Sequence, residues 1–247
     1  MDRLVYTALS GLRAKMQGQA TIANNIANAS TIGYRADRVT FDRMVLSGSA
    51  LETRSVATEE VKDFERRAGT IMQTARPLDI AVTSDSWIAV QAKDGTEAYT
   101  RRGDLSVSPS GVLETGDGFP VMGSGGPITV PPFQAITIAG DGTVSIVPPG
   151  GDPLAPIAID RVKLASATGS RTVKGLDNLL HVEGGGALPG DLEARVQSGA
   201  LEQSNVNLTE ALVDMIENQR SYEVQANLLK EAKSMDETAA SLMRLPG

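Results

Sequence analysis

No cysteine occurs among the 247 residues, so disulfides and thiolate metal sites are excluded. Aromatic residues make up only 4%, with Trp87 the single tryptophan, so any core must be largely aliphatic. His181 is the only histidine, close to Glu183 in a strand-like stretch. A lone histidine in that setting is more often an edge residue than a general base. The Gly-x-Ser-x-Gly and Walker patterns are missing, and "GDGFPVMG" fails the dinucleotide spacing. These gaps leave no catalytic, cofactor-binding or metal-ligating residues to name, and the reading is that the chain is not an enzyme and carries no cofactor. Positive charge is also short: the net charge is −7, which argues against nucleic acid and anionic membrane surfaces as partners. No apolar run approaches the ~18 residues of a membrane span, so direct membrane insertion is not expected. The opening "MDRLVYTALSGLRAK" is broken by Ser10, Gly11 and Arg13 and does not read as a secretory signal.

Chain breakers are themselves missing from two places. Of 25 glycines and 12 prolines, 18 and 11 lie between residues 76 and 195, and residues 208–245 contain neither. The class expected is therefore α+β: long N- and C-terminal helices forming a coiled-coil-like layer, with a central antiparallel β-rich domain. The boundaries read as residues 1–35 for the N-terminal helix and its asparagine-rich motif, and 36–75 for an extended linker. A β-rich domain follows over 76–195, then a C-terminal connection and long helix over 196–247. Turn signals at Asp94-Gly95, Ser110-Gly111, Asp117-Gly118 and Asp141-Gly142 punctuate the β zone.

Both ends carry the same period. Val5, Leu9, Leu12, Met16, Gln19, Ala23 and Ile26 step alternately by four and three. So do Leu208, Leu212, Met215, Gln219, Tyr222, Ala226 and Leu229, with Ala232, Met235, Ala239 and Leu242 continuing in drifting phase. A 3.5-residue repeat is the spacing of a coiled-coil seam. Asn207, with Glu210 three residues on, makes a capping-box-like start, and a helix over 208–243 would run roughly 54 Å. An exposed seam is unstable alone, since burial supplies most helical stability. Either the two ends zip together and onto neighbours in an assembly, or both merely pack on the β domain. A closed coiled-coil binding module is a further alternative. Asn24, Asn25 and Asn28 salt the first helix with amides that an enclosed helix would need and an isolated one would not.

"ANNIANASTIGYR" at 23–35 resembles the N-terminal signature of the flagellar axial proteins, the rod, hook and hook-associated family. Residues 201–245 resemble that family's C-terminal helix, and "PLDIAV", "YTRRGDLSVSPSGVLETGDGFPVMG" and "GPITVP" resemble its shared β segment. The family motif falls on Asn24, Asn25, Asn28, Thr31 and Gly33, and on Ser204, Asn205 and Val206. The chain departs from it at Thr74-Ala75-Arg76-Pro77-Leu78, where Thr-Gly-Asn-Pro-Leu is usual, and at Ser84-Asp85-Ser86-Trp87-Ile88, where Gly-Asp-Gly-Phe-Phe is usual. The lost glycines put the turn geometry there in question. The resemblance is greatest to proximal-rod members, with distal-rod and hook-type members as alternatives. It implies a structural subunit of the periplasmic rod of the basal body, exported without a cleaved signal peptide by the flagellar type III apparatus. Its implied partners are copies of itself and other proximal and distal rod proteins.

Overall fold

The structure, a computed structural model, describes residues 2–45 and 55–243. Among these residues it is α+β, with two helices and several antiparallel sheets, and it divides into two compact units. One comprises residues 1–27, 37–63 and 206–247; the other comprises 28–36 and 64–205.

In the helical unit, α1 spans Asp2–Ala27 and α2 spans Leu208–Met243. Asn207 caps α2: its Oδ1 accepts from the amides of Thr209 at 3.1 Å and Glu210 at 3.4 Å, satisfying donors that a helix start leaves open. The stretch 36–75, expected as an extended linker, instead holds strands. Asp37–Val45 and Ser55–Phe64 form a two-stranded sheet, and Ile71–Gln73 pairs in the β unit. Charged residues at both parities, such as Asp42 and Arg43 or Glu59 and Glu60, hide the alternation that marks a half-buried strand.

The β unit is built on a five-stranded sheet ordered Leu164–Ser166, Ser86–Gln91, Glu97–Thr100, Leu180–Val182, Thr172–Lys174, with every neighbouring pair antiparallel. Successive side chains of a strand point to opposite faces, and both faces are covered here. Ile88 and Val90 join an aliphatic core with Ile80, Leu105, Leu113, Val121, Val144 and Leu164. Trp87 and Ala89 join a second cluster with Phe64, Tyr99, Leu180 and Leu188. Ser86–Val90 is consequently buried at every position, which explains its unbroken rather than alternating look. A three-stranded sheet, ordered Ile157–Arg161, Thr143–Val147, Ala135–Ile138, completes the aliphatic core.

At the first departure from the family pattern the turn survives without its glycine. Ala75 sits at φ 59°, and its amide donates to the Gly199 carbonyl at 3.0 Å beside that of Thr74 at 2.8 Å. A left-handed conformation costs a Cβ-bearing residue about 1–2 kcal/mol, partly offset because alanine also restrains the unfolded chain. Ala75→Gly should therefore stabilise the protein by roughly 0.5–1 kcal/mol, read as a higher urea midpoint at unchanged slope.

Candidate assembly interface

α1 and α2 pack antiparallel. A Cβ at Gly11 would lie 3.2 Å from the Gln225 amide oxygen, and one at Gly18 would lie 3.7 Å from Asn218. Each step of seven residues up α1 is thus matched by seven back along α2. The Asn218 amide donates to the Lys15 carbonyl at 2.8 Å, between the two glycines. Ala14, Gly18 and Thr21 are the buried positions of the described α1 surface. The helix pair is therefore closed by small residues on α1 and by amides on α2. Small side chains let backbones approach closely enough for a side chain on one helix to reach a carbonyl on the other.

The apolar repeat of α1 lies elsewhere. At about 100° per residue, Leu9, Leu12, Met16, Gln19 and Ala23 fall on the side roughly opposite Gly11, Ala14, Gly18 and Thr21. Met16 is 59% exposed and Leu9 40%, and Ala23 is exposed, while Leu12, Gln19 and Ile26 are half-buried. On α2, Leu208, Leu212 and Gln219 are exposed, and Met215, Tyr222, Ala226 and Leu229 are half-buried. Gln219 donates to Glu223 at 3.4 Å, so the interhelical amide bond comes from Asn218 one residue earlier. Val213, Ile216, Val224, Leu228 and Met235 are also exposed, so α2 presents apolar side chains over much of its circumference. The side chains of Val5, Ala239 and Leu242 lie outside the described residues.

The asparagines bond to residues that follow α1 closely in the chain. Asn25 grips Asp37 twice: its Oδ1 accepts from the Asp37 amide at 2.8 Å and its Nδ2 donates to the Asp37 carbonyl at 3.0 Å. Asn24 Nδ2 donates to the Asp37 carboxylate at 2.8 Å. Asn28 accepts from the Thr31 hydroxyl at 3.1 Å in the turn that ends α1. Gly33, at φ 67°, passes so close to Arg101 that a Cβ would meet its carbonyl carbon at 2.4 Å. Asn205 is the matching hub at the other end. It accepts from the Ala36 amide at 2.8 Å and donates to the carbonyls of Glu65 at 3.1 Å and Arg67 at 2.8 Å. Its neighbours Ser204 and Val206 are half-buried.

Beside Asn205 lies a charged cluster that the sequence did not announce. Glu202 is almost wholly buried, and its carboxylate meets Arg35 Nη2 at 2.6 Å and Arg101 Nη1 at 3.2 Å. It also accepts from the Gly69 amide at 2.9 Å, while its backbone carbonyl accepts from Gly33 at 2.8 Å. Both guanidinium groups lie over Trp87, at 5.8 Å for Arg35 and 5.1 Å for Arg101, and Phe64 meets the same ring edge-on. Burial lowers the pKa of both arginines, Arg101 to about 10, against the opposing attraction of Glu202. The clue available beforehand was position alone: Arg35 follows the motif glycine closely and Glu202 precedes Asn205.

Residues 5–35, which hold α1 and its asparagine turn, match the family described as "Flagella basal body rod protein". Residues 197–242 match "Flagellar basal body rod FlgEFG protein C-terminal", and 81–146 match "Flagellar hook protein FlgE/F/G D1 domain". The flagellar basal-body rod protein FlgF of Salmonella typhimurium is 39% identical over 99% of this chain and 100% of its own length. FlgF of Escherichia coli is 40% identical over 99% and 98%. The chain belongs to the flagellar basal-body rod protein family. FlgG, the rod protein of Bacillus subtilis, is 31% identical over 99% of this chain and all of its own. A rod protein of this family is a structural subunit of the flagellar basal body and not an enzyme. His181 accordingly reads as a structural strand residue, its Nε2 3.0 Å from Asp177 in the preceding turn.

Removing the central carboxylate would strand two buried cations. Glu202→Gln should destabilise the β unit by about 3–5 kcal/mol, measured as urea unfolding followed by Trp87 fluorescence. A loss below about 1 kcal/mol would show that the ion pairs are not what joins Arg35 to the C-terminal strand.

Proposed function

We propose that this rod protein is a proximal-rod subunit in which residues 1–35 and 196–247 build an inner helical layer through the apolar face of α1, the part of the β-rich 76–195 region lying outside it. The observation that carries the reading is the two-sidedness of α1. Its small-residue face is used within the chain, while Leu9 and Met16 on the other side remain exposed. The apolar girth of α2 supports the same conclusion, because a helix that is apolar on most sides is stable only when surrounded. Neighbouring copies and other rod proteins would supply that cover. The identities near 40% with FlgF relatives favour a proximal position; 31% identity with FlgG makes the distal rod the second reading. Passage through the flagellar type III apparatus without a cleaved leader, and assembly in the periplasm, complete the proposal.

Ordering long helices costs conformational entropy that neighbour contacts repay only on assembly. Hydrogen exchange on dilute subunit should therefore be faster in α1 and α2 than in the five-stranded sheet; equal protection would count against assembly-linked ordering. Met16→Glu places a charge on the bare face and should leave the urea midpoint of the isolated subunit nearly unchanged. The same variant should abolish swimming and incorporation into basal bodies, with Met16→Leu restoring both. Normal motility with Met16→Glu or with Leu212→Glu would overturn the seam.

A further inference from the structure

After the central strand of the three-stranded sheet, residues 153–158 read Pro-Leu-Ala-Pro-Ile-Ala, and all are exposed. Leu154 is 92% exposed and Ile157 56%. An unbroken apolar run on a surface is disfavoured unless something covers it. Nor is Leu154 loosely held. Asp152 opens a turn in which the Ala155 amide donates to its carbonyl at 3.0 Å and the Leu154 amide to its carboxylate at 2.9 Å. Aspartate at the first turn position and Pro153 at the second favour that turn, so the leucine is presented at little entropic cost.

A groove of about 510 Å³ lies at the other end of the outer strand Ile157–Arg161. Met122, Leu164 and Leu192 line its apolar part, and at the Gly125 and Gly126 lip an added Cβ would meet nothing within 4 Å. Lys163 pairs there with Glu97 at 2.7 Å, Asp191 accepts from the Ser86 hydroxyl, and nearby Asp160 accepts from Ser124. Arg161 differs. It donates to the carbonyls of Asp141 at 2.6 Å and Leu192 at 3.4 Å, and Asp141 attracts it through space, but it forms no ion pair among the described residues.

We propose that residues 153–158 of one copy dock in this groove of a second copy, Leu154 against Met122 and Leu192, Ala155 at the glycine lip and Asp152 facing Arg161. One chain cannot make the contact with itself, because the strand Ile157–Arg161 holds run and groove apart at about 3.3 Å per residue. The charges are complementary, since exposed Asp152 also forms no ion pair among the described residues. Run and groove are different surfaces, so the contact is head-to-tail and leaves one of each free for further copies. It rests on the self-assembly proposed above and adds to it a junction that needs neither helix.

The absence of native cysteine allows a direct test. Full-length Ala155→Cys and Gly125→Cys are mixed and oxidised, docking having brought their Cα atoms within the roughly 7 Å that a disulfide spans. A linked dimer should form in the mixture, and neither variant alone should match its yield. Ala155→Cys mixed with Leu176→Cys, which is exposed and outside the groove, measures random collision. Asp152→Arg beside Ala155→Cys should lower the yield about fivefold, and Arg161→Asp beside Gly125→Cys should restore it. A yield no higher than the collision control, equal linking of Ala155→Cys alone, or failure of the charge exchange to restore linking would each overturn the contact. Met16→Glu should leave the yield unchanged, which separates loss of the helical seam from loss of this junction; a yield that falls with it would overturn the junction as well.

Discussion

Glu202 gives up its hydration to lie between two guanidinium groups that have given up theirs, and the chain ends are organised around that exchange. The carboxylate ties Arg35, just beyond the turn that ends α1, to the strand Ala200–Glu202, just before the residues that lead into α2. Its backbone carbonyl holds Gly33, and three residues later Asn205 holds Ala36, Glu65 and Arg67. Within the β unit, the segments leading to the two helices are therefore side by side before either helix contributes a contact. A buried ion pair adds little net stability compared with apolar groups of the same volume. What it adds is intolerance of displacement, since a carboxylate that slides by one residue leaves two cations unpaired.

On the proposed reading, α1 serves two neighbours that want different surfaces. Gly11, Ala14, Gly18 and Thr21 offer little area but allow close approach, which suits a partner in the same chain that is always present. Leu9 and Met16 offer area without a fixed mate, which suits surfaces that arrive later. Had the large residues closed the intrachain pair, the helix would have little left to bury against another subunit. The amides opposite the glycines add a directional element: Asn218 reaches the Lys15 carbonyl in only one antiparallel register.

Hydropathy reports area, and so the apolar repeat of α1 and the existence of both helices were legible in the sequence. The meeting of the two ends was an expectation, but the residues that close the pair were not legible, because glycine and alanine carry almost no hydropathic signal. The asparagine-rich motif was visible as an anomaly, yet its purpose depends on Asp37, which joins Asn25 through the backbone and shows in no side-chain pattern. The strands within 36–75 were missed because charged residues occur at both parities along Asp37–Val45 and Ser55–Phe64. The Arg35–Glu202–Arg101 cluster spans well over 150 residues of sequence, and no local spacing could assemble it. Its nearest legible trace was Gly33, whose tight approach to Arg101 admits no side chain.

The scarcity of aromatic residues sharpens the meaning of where they lie. Tyr34, Phe64 and Trp87 gather around the two buried arginines and Lys174, although the remaining core is almost entirely aliphatic. An aliphatic wall would leave those cations facing a medium that cannot stabilise charge, whereas an aromatic face attracts them through its quadrupole. Ring faces and the Glu202 carboxylate together make it possible to keep Arg35 and Arg101 in a dry region of an acidic protein. A subunit without chemistry to perform has thus concentrated its polar interactions at the place where its chain must turn back to meet itself. Replacing that arrangement by leucines would preserve volume and apolar burial. It would also permit small slips between the two ends of the chain, because apolar contacts fix no register.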